Sequence, residues 1–168
     1  MKGKVRQRIF MVLLFGCMGL SHIQAMAQEK PPRPISVFTA QNMSFGAFFE
    51  GVSGGTVLLF PNGSRSATGD VVLVNMGFSY YPAIFEIEAL PGTIISILFG
   101  PDVTLSGNNG GTMTLHIGGS DPDSPFISSA SPPGRTQVRV GGTLTVGNPL
   151  ANPPGAYNGT ISVTFNQE

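Results

Sequence analysis

The chain is short of charge, of cysteine and of helical pattern, and each shortage removes a class of function. Charged residues make up 11% of its 168 positions. Four of the nine basic residues sit within the first eight positions; the rest are Lys30, Arg33, Arg65, Arg135 and Arg139. Beyond residue 27, those five face nine acids, a net charge of about −4. Nucleic acid demands clustered Lys and Arg, and anionic lipid a polybasic patch, so neither is an expected partner. The single cysteine, Cys17, lies within the first 27 residues. The remaining chain therefore has neither disulfides nor thiolate metal ligands, and burial alone must stabilise it. About 140 residues suffice, since a domain of that size buries roughly two-thirds of its unfolded surface.

The first 27 residues read as a signal for export. Lys2, Lys4, Arg6 and Arg8 make a positive start, Ile9–Leu20 an apolar run, and Ala25-Met26-Ala27 a small-x-small cleavage site. The run is too short for a membrane-spanning helix. Leu14-Phe15-Gly16-Cys17 also has the look of a lipoprotein signal, but the apolar run continues past Cys17 and a good cleavage site follows. Cleavage after Ala27 is the expectation, with a periplasmic, outer-surface or extracellular address. Residues 28–34 (Gln-Glu-Lys-Pro-Pro-Arg-Pro) form a proline-rich leader, and 35–168 a single domain.

What the sequence has in abundance is two-residue alternation between turns. In Gly155–Asn166, Tyr157, Ile161, Val163 and Phe165 point one way, while Asn158, Thr160, Ser162, Thr164 and Asn166 point the other. Only a strand sorts them so. Further strands are expected at Ile35–Ala40, Asn42–Phe49, Gly55–Phe60, Asp70–Asn75, Ala83–Ala89, Thr93–Phe99, Val103–Leu105, Thr112–Ile117 and Arg135–Val146. Pro61-Asn62-Gly63 and Gly107–Gly111 read as turns, Gly51–Gly55 as a flexible loop, and Gly118–Gly134 as a long surface loop. Pro91-Gly92 suggests a hairpin between its flanking strands. The 23 glycines and 14 prolines fall mostly at these junctions. The fold class is all-β: an antiparallel, immunoglobulin-like β-sandwich of about 8–10 strands. Almost nothing follows the last strand, so either Ile35–Ala40 or another subunit is expected along its far edge.

Gly55-Thr56-Val57, Pro61-Asn62-Gly63-Ser64-Arg65 with Gly69, Thr112–Leu115, Gly141–Gly147 and Pro154–Thr160, in this order, resemble bacterial proteins of the domain of unknown function 4402 family. The resemblance spans Val37–Asn166. It implies an exported β-sandwich with no assigned catalytic residues. The closing Gly-x-Tyr also looks like the end of spore-coat-U and fimbrial subunits, which implies a surface-structure or adhesion role.

The candidate sites each face a plainer reading. His116 is alone and outward, so a solvated strand residue rather than a zinc ligand. Glu86 and Glu88 share an outer face at a spacing that glycosidases use, but cross-strand pairing with Arg135 or Arg139 explains them better. Asp121 and Asp123 are weak calcium candidates, lacking the glycine and glutamate of a calcium loop. Phe78, Tyr80 and Tyr81 form a candidate ligand loop for a sugar ring; the alternative is that they plug the end of the sandwich. No Ser-His-Asp set assembles, and Gly107–Gly111 lacks the lysine and following helix of a phosphate loop. The expected protein is non-catalytic, without cofactor or bound metal. It is structural or adhesive, a pilus-like subunit assembling with copies of itself or other surface subunits by strand donation. The alternative is a secreted glycan- or calcium-binding module; a hydrolase is the least favoured.

Overall fold

A computed structural model of the chain describes residues 33–168. The export segment, Cys17, the cleavage point after Ala27 and the leader as far as Pro32 lie outside the described residues. Thirteen strands follow in order: β1 (Ser36–Gln41), β2 (Ser44–Phe45), β3 (Ala47–Leu59), β4 (Arg65–Val74), β5 (Tyr80–Tyr81), β6 (Ala83–Glu88), β7 (Ile94–Phe99), β8 (Val103–Gly107), β9 (Thr112–Asp121), β10 (Phe126–Ile127), β11 (Thr136–Val146), β12 (Tyr157–Asn158) and β13 (Val163–Gln167). Every pairing is antiparallel. The fold is an all-β, antiparallel sandwich, and nine of its strands exceed two residues.

The larger sheet is built on β11. One of its edges takes β6 along Thr136–Val140 and then β3 along Gly142–Val146. Its other edge takes β9, and β8 and β12 follow beyond. A smaller sheet, β10-β7-β13, packs across this one, and a β2–β5 ribbon completes the structure. The alternation of β6, of β9 as far as Ile117 and of β11 as far as Val140 aims Phe85, Ile87, Leu115, Ile117, Val138 and Val140 inward. Ile95 and Phe165 oppose them from the smaller sheet, and the Phe85 and Phe165 rings meet at 5.4 Å. Each fully buried aliphatic side chain contributes about 2 kcal/mol.

Three expectations fail for physical reasons. Ala83–Glu88 and Ile94–Phe99 do not form a hairpin; β6 lies in the large sheet and β7 in the small one. Alternation shows that each strand has a buried face, and here the two buried faces look at each other across the core. The turn between them is secured instead by β10's neighbour: Gly92 N–H donates to Ser128 O at 2.8 Å, and Ser128 N–H to Thr93 O at 2.9 Å. The Gly118–Gly134 stretch is not all loop. β9 runs on to Asp121 through Gly118-Gly119, whose missing side chains hide the alternation, and Phe126 buries itself as part of β10. Nor is Gly51–Gly55 a loop. It is a wide bulge within β3, where Glu50 pairs Val71 but Gly55 pairs Gly69.

The terminal strand is split. Tyr157–Asn158 pairs with β8, Gly159–Ser162 crosses between sheets, and Val163–Gln167 pairs with β7. The predicted in–out alternation nevertheless survives the crossing, since every polar residue named for its outer face is exposed. Ile35–Ala40 does not cover its far edge; β1 pairs with β6 instead. Among the described residues, β13 is an edge of its sheet, and so are β1 and β4 of theirs.

Candidate functional site

The β3–β4 hairpin bends back on itself, and a groove lies beside the bend. The corner is made of glycine because the two strands touch there. A Cβ on Gly55 would lie 2.1 Å from Thr68 O, and one on Gly69, whose φ is +69°, 2.7 Å from Gly54 O. Asp70 sits opposite the bulge, and its carboxylate accepts from Ser53 N–H at 3.4 Å. The tight end is an Asn-Gly turn in which Gly63 N–H donates to Phe60 O and Asn62 Oδ1 accepts from Ser64 N–H, both at 2.9 Å.

Arg65, the first residue of β4, holds the bent hairpin. Its Nη1 donates to the carbonyls of Phe45 and Ala47 at 2.5 and 3.1 Å, and its Nη2 to that of Val74 at 3.3 Å. Its guanidinium lies 4.3 Å from the centre of the Tyr80 ring. The side chain thus ties both ends of β4 to the β2–β5 ribbon. Gly46 leaves room for it, since a Cβ there would lie 2.8 Å from Nη1. The Nε–H is buried and has no protein acceptor.

Beside Arg65 lies an open groove of about 480 Å³, lined also by Val74, Asn75, Phe78, Ser79 and Tyr80. Its size falls within the range of small-ligand sites. The loop that forms it is pinned at both sides: Ser44 Oγ donates to Ser79 O and Gln41 Nε2 to Pro82 O, each at 2.9 Å. Phe78, Tyr80 and Tyr81 do not plug the sandwich; they are 66%, 45% and 38% exposed. The core beneath is closed by Phe45, Phe85 and Phe165, so the loop's rings are left for the surface.

The remaining candidates are dispersed. Glu86 pairs with Arg135 at 3.0 Å, as cross-strand pairing predicts, and Arg135 also stacks on Phe38 at 3.8 Å. Glu88 meets Arg33 at 3.5 Å. Both carboxylates are engaged on a sheet face, and a hollow of about 10 Å³ lies next to Glu88. His116 is outward, as expected, but has a partner the sequence did not reveal: its Nδ1 lies 2.7 Å from Asp102 Oδ1, and both side chains are exposed. Asp121 faces Arg139 at 3.8 Å. Among the described residues, no three His, Cys, Asp or Glu side chains come together as a metal site would need, Asp121 and Asp123 included.

A model of the family described as Domain of unknown function (DUF4402) matches residues 35–166. The chain belongs to the DUF4402 family. No curated protein and no solved structure matches it. On this DUF4402 chain, the residues that carried the sequence resemblance fall on structural devices. Asn62, Gly63 and Ser64 form the hairpin turn, Gly55 and Gly69 the corner, and Arg65 its tie.

The Gly-Ala-Tyr segment is likewise a clamp. A Cβ on Gly155 would lie 2.3 Å from Asn108 Oδ1, and Tyr157 Oη donates to Pro153 O at 2.7 Å. Partial desolvation raises the Tyr157 pKa; Asn152 lowers it and the Glu50 charge raises it, both less strongly. Asn152 itself escaped sequence reasoning. Only 1% exposed, it accepts from Gly147 N–H and donates to Thr112 O at 2.6 Å, closing the Gly147–Gly155 loop. An asparagine between Ala151 and Pro153 looks like any other turn residue, so only its burial marks it.

Proposed function

We propose that this DUF4402 protein is exported, non-catalytic and structural or adhesive, and that its copies join through open sheet edges. The observation that carries the reading is β1. Five of its six residues are exposed and, among the described residues, it pairs with β6 alone, while β4 and β13 also end their sheets without a further strand. A strand held on one side exchanges between copies at little cost, because its hydrogen bonds re-form in the partner. Its Val37 and Phe38, 43% and 39% exposed, supply apolar surface for such an exchange. The engaged state of Glu86 and Glu88 supports a non-catalytic role. Mass measurement of the exported protein tests the address, with a new N-terminus at Gln28 expected. Size-exclusion chromatography of that form, with and without residues 28–41, tests assembly. A protein that is monomeric at high concentration, and equally stable after truncation, would overturn the strand-exchange mechanism.

A second reading, a saccharide-binding module, is favoured by the exposed rings of the Met76–Pro82 loop beside a groove. Sugar rings stack on aromatic faces, and the pinned loop presents those faces without ordering cost on binding. A glycan array scored with the exported form and with Phe78→Ala tests it; silence on the array removes it.

A further inference from the structure

We propose that the Arg65 groove binds an acidic saccharide, its carboxylate set against the guanidinium of Arg65 and its ring against Phe78. The inference rests on the saccharide-binding reading and adds the charge of the ligand and the residue that reads it. Four arginines lie among the described residues. Among the described residues, Arg33, Arg135 and Arg139 each have a carboxylate within 4 Å, and Arg65 has none. On a domain of negative net charge, the one described arginine without an acidic partner among the described residues lines an open groove and stacks on an aromatic of its wall.

The donor count points the same way. A guanidinium carries five N–H groups, of which Nη1 has two, Nη2 two and Nε one. Nη1 donates to Phe45 O and Ala47 O, which uses both of its N–H groups, and Nη2 donates one N–H to Val74 O. The Nε–H is buried, so the N–H left without a protein acceptor and open to a ligand is the second one of Nη2. A carboxylate in the groove would accept from that N–H and lie against the charge of the guanidinium. The three carbonyls hold the guanidinium in place beside the groove, so its charge is positioned before any ligand arrives.

The other groove residues suit a sugar better than a peptide. Phe78, at 66% exposure, offers a free face for a pyranose ring. Asn75 and Ser79 supply an amide and a hydroxyl for ring substituents. Tyr80 is already covered by Arg65 on one face, so it positions the cation rather than stacking the ligand.

The test is titration calorimetry of the exported protein with four probes: tri-galacturonic acid, 3′-sialyllactose, maltohexaose and a free-acid pentapeptide. Binding of at least one acidic sugar is expected. It should weaken at least tenfold in Phe78→Ala at unchanged melting temperature, and about tenfold between 50 and 500 mM NaCl. Arg65→Lys, which keeps the charge without the fork, should also weaken it at least tenfold. Should that variant fail to fold, the Phe78 and salt measurements decide. Equal binding of maltohexaose, sensitive to Phe78→Ala, would overturn the acidic assignment and leave the saccharide reading standing. Binding of the peptide alone, or of no probe, would overturn both.

Discussion

Replacing Arg65 by methionine tests the central claim about the hairpin, that one side chain holds its bend. Methionine keeps most of the aliphatic stem and loses all the donors. Three hydrogen bonds from a charged group to backbone carbonyls disappear, to Phe45, Ala47 and Val74. Such bonds contribute about 1.5–3 kcal/mol each when fully buried. Arg65 is half-buried, so about 1 kcal/mol each is the better value. The stack on Tyr80 adds about 0.5–1 kcal/mol. Removing the buried, unsatisfied Nε–H returns about 1 kcal/mol. The net expected loss is about 3 kcal/mol. For a domain of this size that lowers the melting temperature by about 10 °C. Urea denaturation followed by circular dichroism measures it, with an unchanged m-value showing that the unfolded reference is the same. Arg65→Lys supplies one donor head in place of a fork and should recover about a third of the loss. If Arg65→Met costs under 0.5 kcal/mol, or Lys restores full stability, the fork does not hold the bend.

Gly69→Val should cost at least about 2 kcal/mol, because it adds a β-branched side chain at positive φ against Gly54 O. Gly63→Ala, at φ +84° with nothing within 4 Å, should cost only about 1 kcal/mol in the same urea assay. Asn152→Ala should lose about 2–3 kcal/mol by stranding the buried Thr112 carbonyl and Gly147 amide; thermal melts compare it with the exposed Asn148→Ala. The raised Tyr157 pKa means that the folded chain favours the neutral phenol. That contribution is present below the unfolded value of about 10 and fades as pH climbs through the folded value. Melting temperature should therefore fall more steeply between pH 10 and 11.5 than in Tyr157→Phe, and parallel curves would contradict the assignment.

The strands and their inward faces were legible because β alternation is local: Phe85 and Ile87, Met113, Leu115 and Ile117, and Val138 and Val140 all bury as their spacing requires. Local pattern also located the hairpin turn at Asn62-Gly63 and marked Phe78, Tyr80 and Tyr81 as a loop of interest. It failed wherever glycine removed the side chains that carry the pattern, at Gly51–Gly55 and Gly118-Gly119. It failed again at Arg65, whose sequence neighbours are small polar residues and whose partners lie 9 to 20 positions away.

The sequence by itself determined the fold class, the inward set of side chains and the shortage of charge. A two-residue period cannot say which sheet a strand joins, because a face buried from above and one buried from below read alike. The tertiary structure decided that: it parted β6 from β7, split the last strand between sheets and left β1 on an edge. It also decided the site. Arg65 became the tie of a bent hairpin and the wall of a groove only when the glycine corner brought Phe45, Ala47, Val74 and Tyr80 around it.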